Sequence, residues 1–175
     1  MNLFRESILH GILASFAFLE SNNLEGFIPE EIKAVTSLEV LYLSDNKLTE
    51  ELPAIFGALE NLIEFDVERN LLQGNPWTDV VNSPSLQSLK LSSNFFTGTI
   101  PSEISSLTGL TELWLAENRI EGSLPSAIGS LTNLGKFTRP LEVCVWLHWF
   151  QILFSHPFSF WPSSIQTRFT PIPTG

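Results

Sequence analysis

The 175-residue sequence has little cysteine and little positive charge, and each scarcity excludes a class of protein. Its single cysteine, Cys144, rules out an internal disulfide framework and any zinc site built from several cysteines. Nine Lys and Arg residues stand against 19 Asp and Glu residues, which gives a formal net charge of −10. A chain this acidic has too few cations to displace the counterions of a nucleic acid, so we expect no nucleic-acid partner.

Catalytic and metal-binding patterns are missing as well. The sequence has no Gly-rich phosphate loop, no G-x-S-x-G or H-E-x-x-H motif and no set of kinase signatures. Cys144 and His148 are four residues apart, but no third group that would orient them is apparent, and an incidental thiol is the simpler interpretation. The acidic residues lack the D-x-D-x-D-G spacing of a calcium loop. We therefore expect that the protein is not an enzyme and that it has no catalytic residues, no cofactor and no metal site.

What the sequence has instead is a 24-residue repeat. Apolar residues stand eight, five and three positions before a recurring asparagine, and two and ten positions after it. A glycine follows four positions after the asparagine in every copy but the second, where Glu50 stands. An Ile-Pro or Leu-Pro pair comes next, except in the third copy, which has Pro76-Trp77. The five in-phase asparagines, which indicate a repeat architecture, are Asn22, Asn46, Asn70, Asn94 and Asn118.

Each part of the repeat has a physical role. Alternation such as Leu89-x-Leu91 has the period of a strand with one buried face, so we expect Leu89 and Leu113 in the core. The asparagine amide can satisfy backbone groups at the turn after the strand, and stacked copies would form a ladder. Glycine allows the backbone to bend, and proline stiffens the returning segment. Because one repeat cannot bury its own apolar face, stability must come from stacking on neighbours.

The frame L-x-x-L-x-L-x-x-N-x-L-x-G-x-I-P resembles the leucine-rich repeat, in its 24-residue plant-type class. The resemblance implies an α/β-type solenoid, a right-handed superhelix with one parallel β-sheet on its concave face and irregular or short helical segments on the convex side. It also implies a non-catalytic module that binds a protein or peptide on the concave sheet. The alternative is the truncated ectodomain of a membrane receptor-like protein or receptor kinase.

Residues between the frame leucines are expected to point out of the concave face. Exposed aromatic side chains on a rigid sheet are typical anchors of protein interfaces. Any one of these positions also fits an ordinary solvent-exposed residue, and the edge loops around Trp77 are a second place where a partner could bind. The predicted partner-binding residues are Phe18, Tyr42, Asp66, Lys90 and Trp114 in one row, with Glu68, Arg69 and Glu112 beside it.

The repeat phase weakens at the amino-terminal end. Residues 1–13 fit the end of a preceding repeat, in which Arg5 takes the position that proline holds in other copies. An apolar run after Arg5 offers the alternative of a degenerate signal peptide, although His10 interrupts it. We expect five full repeats and the start of a sixth in residues 14–137.

The repeat stops more sharply at the other end. Leu134 begins a sixth strand, but Arg139-Pro140 takes the place of its third apolar residue. Residues 138–175 have no repeat phase and are rich in aromatic residues and proline. Their apolar stretch, residues 143–154, is shorter than the roughly 20 residues of a membrane span. We interpret this tail as foreign to the fold, as from a truncated or mis-joined coding sequence.

The compartment is the least determined property. No N-x-S/T glycosylation site is present, because Asn82-Ser83-Pro84 fails at its third position. Secreted members of the resembled family usually carry such sites and paired cysteines, so their absence favours an intracellular protein or a fragment over a secreted protein. Membrane association remains the alternative, if the chain is part of a longer receptor. We expect a monomer.

Overall fold

The structure, a computed structural model, describes residues 15–138. Within this range short strands recur at the repeat period. They are β1 Phe16–Phe18, β2 Glu25–Gly26, β3 Val40–Tyr42, β4 Lys47–Leu48, β5 Glu64–Asp66, β6 Gln73–Gly74, β7 Ser88–Lys90, β8 Phe95–Phe96, β9 Glu112–Trp114 and β10 Lys136–Thr138.

Six of these strands form one wholly parallel sheet in the order β1-β3-β5-β7-β9-β10. Equivalent repeat positions pair across it, so Phe65 lies opposite Leu89 and Leu89 lies opposite Leu113. The shorter strands pair as β2 with β4 and β6 with β8, also in parallel. This is the solenoid with one parallel concave sheet that the resemblance to the leucine-rich repeat implies. At the carboxyl-terminal end of the described range, β10 pairs with β9 as the sixth strand of the sheet.

The convex side is built mainly from three short 3₁₀ helices, η1 Glu30–Ala34, η2 Ser102–Ser106 and η3 Ser126–Ser130. Each follows a proline in extended conformation, because the fixed φ of proline suits the start of the return segment. The third repeat differs, since Pro76 is followed by a four-residue α-helix, Trp77–Val80. Trp77 is only 3% exposed and packs into the core. Trp77 stands at the position that proline holds in the other copies, and its indole offers almost no surface to a partner. Binding at the edge loops around Trp77 stays a prediction.

The frame positions fill one continuous core along the solenoid. Leu89 and Leu113, which the repeat predicts to be buried, have no exposed surface. The rings of Phe56 and Phe65 pack edge to face with centroids 5.0 Å apart. Because every repeat buries its apolar face only against its neighbours, this core has the one-dimensional character of a solenoid.

The asparagine ladder forms in four of the five copies. In each of these, the side-chain Nδ2 donates to the carbonyl three residues earlier and to a carbonyl 27 residues earlier, in the preceding repeat. The Oδ1 accepts a backbone N–H 22 residues earlier. Asn22 is exposed and donates to the Glu20 carbonyl. The ladder asparagines are Asn46, Asn70, Asn94 and Asn118.

The predicted segment 1–13 and all of the predicted tail but Thr138 lie outside the described residues, as do Cys144 and His148. Among residues 15–138, none of the helices is long and apolar enough to cross a membrane.

Candidate binding surface on the concave sheet

The predicted row of concave residues is aligned by the register of the sheet. Each member pairs with the next across neighbouring strands, one residue from each of β1, β3, β5, β7 and β9. Alternation along each strand directs the frame residue inward and its two neighbours outward. We call this line of side chains the central row: Phe18, Tyr42, Asp66, Lys90 and Trp114.

The first end of the central row is aromatic. The Phe16 and Phe18 rings are nearly parallel with centroids 6.3 Å apart, and the Phe18 ring lies 5.4 Å from that of Tyr42. Phe16 and Phe18 are 51% and 59% exposed, which is unusual for such large apolar side chains. We call Phe16, Phe18 and Tyr42 the aromatic patch. The predicted set omits Phe16, which the alternation Phe16-x-Phe18 could have found.

Tyr42 is held in place by a strong hydrogen bond. Its hydroxyl donates to the carboxylate of Glu64 on the next strand. This bond, together with partial burial and nearby negative charge, raises the pKa of Tyr42 to about 12. The hydrogen bond to Glu64 also orients the Tyr42 ring on the sheet.

The centre of the row is a charged pair. Lys90 Nζ lies 3.8 Å from Asp66 Oδ2 and 5.7 Å from the centroid of the Tyr42 ring. Asp66 is only 9% exposed, and its Oδ1 accepts the backbone N–H of Glu68 at 3.0 Å. Burial raises the pKa of the Asp66 carboxyl. Asp66 thus offers little surface to a partner, and its neighbours cover it more than its outward position in the repeat predicts.

The far end of the row is organised by Glu112. Its Oε2 accepts the Trp114 Nε1–H at 3.2 Å, and its Oε1 lies 2.5 Å from Lys136 Nζ. The hydrogen bond from Lys136 holds the pKa of the Glu112 carboxyl below its ordinary range. Trp114 is half-buried, so its indole is both accessible and oriented.

Glu68 and Arg69 lie beside the row, just after β5. Arg69 Nη1 is 3.2 Å from Asp45 Oδ2 in an exposed ion pair. Glu68 is half-buried, and burial raises the pKa of its carboxyl. In residues 15–138 no three His, Cys, Asp or Glu side chains are grouped so that they could hold a metal ion.

The parallel sheet and the 24-residue repeat place this chain in the class of repeat proteins called solenoids. Residues 36–96 match the family described as Leucine rich repeat, and residues 109–131 match a second one of the same description. A chain in the crystal structure of the BIR3–SERK2 complex from Arabidopsis thaliana is 34% identical, with a TM-score of 0.60, over 73% of this chain and 71% of that one. The chain belongs to the leucine-rich repeat family.

Two further relatives are plant receptors. The leucine-rich repeat ectodomain of the Arabidopsis receptor kinase HAESA, solved with an IDA peptide hormone ligand, is 28% identical with a TM-score of 0.67. That match covers 75% of this chain and 24% of the HAESA chain in the crystal structure. Pollen receptor-like kinase 2 from Arabidopsis thaliana is 38% identical over 51% of this chain and 14% of its own length. The chain thus spans about a tenth of the length of the curated relatives it matches.

Proposed function

We propose that this chain is a non-catalytic module that binds a protein or peptide on its concave sheet. The observation that carries the proposal is the central row, in which aromatic side chains from different repeats share one line on a rigid sheet. Aromatic residues that are already ordered lose little conformational entropy on binding, which favours them as anchors. The peptide hormone in the related HAESA structure supports the same class of ligand.

Trp114 is the proposed anchor at the far end of the row. A Trp side chain buries roughly 150–250 Å² when covered, and interface anchors of this type typically contribute 2 kcal/mol or more. We expect Trp114→Ala to weaken binding by about 2 kcal/mol and to leave the fold intact, because the indole lies outside the leucine core. The full chain is first used to select a binding peptide from a random display library. Calorimetry with that peptide measures the change in affinity, and thermal melts measure the stability of the fold.

Phe95→Ala is the matched control for Trp114→Ala. Phe95 is 40% exposed but lies on β8, outside the six-stranded sheet. Its removal should leave the affinity unchanged. If Trp114→Ala binds as tightly as the wild type while Phe95→Ala binds more weakly, the concave sheet is not the recognition surface.

A second candidate is that the same module serves within the ectodomain of a membrane receptor-like protein. The similarity to receptor-like proteins and to receptor kinase ectodomains favours it. Detection of the native product with an antibody to the repeats tests this. A membrane-bound product heavier than the 19.6 kDa of this chain supports the receptor, and a soluble product of 19.6 kDa contradicts it. We also expect the chain to be monomeric, which light scattering can measure.

A further inference from the structure

The basic side chains of the concave surface are already engaged by carboxylates. Arg69 pairs with Asp45 at 3.2 Å, Lys90 with Asp66 at 3.8 Å, and Lys136 with Glu112 at 2.5 Å. Their positive charge is therefore compensated within the protein. An acidic ligand would have to displace one of these internal carboxylates in order to gain a full ion pair.

Several carboxylates on the same surface have no such compensation. Within residues 15–138, Glu20, Glu64 and Glu117 form no ion pair. Glu64 accepts the Tyr42 hydroxyl, and Glu117 accepts the Ser93 hydroxyl at 2.7 Å. Both bonds leave the negative charge of the carboxylate in place. The concave surface therefore has an excess of negative charge that complements a cationic partner.

Two of these carboxylates flank the aromatic patch. Glu64 is hydrogen-bonded to Tyr42, and Glu20 follows Phe18 by two residues. The negative charge of Glu20 contributes, after the Glu64 hydrogen bond, to the raised pKa of Tyr42. Exposed aromatic faces beside carboxylates are the environment that a guanidinium group prefers, because it can stack on the ring and donate to the carboxylate at once.

The protein already contains cations stacked on its own rings. The Arg119 guanidinium lies 4.8 Å from the centroid of the exposed Phe95 ring, and Lys90 Nζ lies 5.7 Å from that of Tyr42. Lys90 also limits where a cation of a partner can bind on the central row. A second cation close to Lys90 would be repelled, so the favourable position for an incoming cation is at Phe16 and Phe18, at the end of the row away from Lys90.

We propose that the aromatic patch, with Glu20 and Glu64, binds an arginine side chain of a basic peptide segment. This proposal rests on the proposed function and specifies the ligand chemistry of the same surface. The guanidinium stacks on Phe18 and donates to the flanking carboxylates. The peptide then continues across the sheet toward Trp114.

The test uses the full chain and two synthetic Gly-Ser peptides that carry several arginines or, at the same positions, citrullines. Citrulline has nearly the same shape as arginine but no charge. Fluorescence anisotropy should show binding of the arginine peptide and at least roughly 10-fold weaker binding of the citrulline peptide, since the charge supplies both interactions. Phe18→Ala and Glu64→Gln should each weaken the arginine peptide about 5-fold or more.

Phe27→Ala and Glu121→Gln are the matched controls. Phe27 is 53% exposed and Glu121 is exposed, yet both lie outside the six-stranded sheet. Neither should change the affinity, and circular dichroism should show that all four variants are folded. A larger loss in Phe27→Ala than in Phe18→Ala would contradict the assignment of the patch.

Equal binding of the two peptides, or no binding of the arginine peptide at millimolar concentration, overturns the proposal. The outcome for the proposed function is separate. If library peptides without arginine bind and Trp114→Ala abolishes that binding, the concave module is supported and only the arginine assignment fails.

Discussion

Tyr42 is the single tyrosine of the chain, which makes it a direct reporter of the concave surface. Its pKa is raised to about 12 chiefly by the hydrogen bond to Glu64. Because the folded-state pKa lies above the unfolded value of about 10, the associated stability is fully present below pH 10. It is lost as the pH rises through the folded-state value.

We predict that Glu64→Gln lowers the pKa of Tyr42 from about 12 toward its ordinary value of about 10. The neutral amide neither repels the tyrosinate nor favours the protonated phenol as a carboxylate does. Tyrosinate absorbance near 295 nm follows the titration, with circular dichroism recorded at each pH. An identical titration in Glu64→Gln and wild type would contradict the bond, and Glu121→Gln is the distant control.

The turns impose unusual backbone angles on particular residues. The residue before each repeat asparagine has φ between 53° and 56°, and the glycines at four repeat positions have φ between 78° and 88°. Glu50 takes the glycine position of the second copy and has φ 66°. A side chain in this left-handed region costs about 1–2 kcal/mol, whereas glycine adopts it freely.

We predict that Glu50→Gly stabilises the fold by about 0.5–1 kcal/mol. The relief of backbone strain exceeds the entropy that glycine adds to the unfolded chain. Urea unfolding measures the change. Glu60→Gly is the control, because Glu60 is exposed but has no positive φ, and it should destabilise. A destabilising Glu50→Gly would mean that the Glu50 conformation carries no strain.

At the scale of the element, a strand of three residues cannot be stable alone, and its frame leucines must supply the packing. Leu113 at the centre of β9 lies between Leu89 and Phe137 in the register of the sheet and has no exposed surface. The asparagine ladder then ties the turn after each strand to the preceding repeat. Packing and ladder together connect each strand to its neighbours.

We predict that Leu113→Ala destabilises the protein by about 2–5 kcal/mol, since it leaves a cavity in a close-packed core. Leu71→Ala is a matched control, because Leu71 is 47% exposed and lies outside the strands and helices. Its loss should remain within about 0.5 kcal/mol. Equal effects of the two substitutions in urea unfolding would place Leu113 outside the core and contradict the repeat interpretation.

At the scale of the whole molecule, each strand of the described six-stranded sheet pairs only with strands of the neighbouring repeats, so the interior strands have two neighbours. The end strands of the described sheet have one. The difference appears in burial, since Leu89 on β7 has no exposed surface while no residue of β10 is fully buried. Stability should therefore fall from the centre toward both ends.

Hydrogen exchange measures this gradient. We predict that the amide of Leu91, bonded to the Trp114 carbonyl, exchanges more slowly than that of Leu19, bonded to the Tyr42 carbonyl. Peptides covering β5 and β7 should likewise be more protected than those covering β1 and β10. Uniform protection along the array would indicate that the described residues unfold as a single cooperative unit.

The sequence could predict most of the fold because the repeat fixes which positions recur. The period of 24 residues places the strands, the leucines and four of the ladder asparagines correctly. It also aligns Phe18, Tyr42 and Trp114 on one face. A repeat unit carries this information within its own length, since alternation decides which side chains face the core.

Contacts between repeats decided the rest. Asp66 pairs with Lys90, 24 positions away, and Tyr42 donates to Glu64, 22 positions away. These contacts and the burial of Asp66 depend on the particular side chains that the stacking of repeats brings together. Trp77 is buried at the start of an α-helix, where three other copies have a 3₁₀ helix. The sequence by itself determined the repeat, the strands and the outward row. Only the tertiary structure decided which outward side chains are covered, paired or left open, because charge and shape at each position depend on neighbours one repeat away.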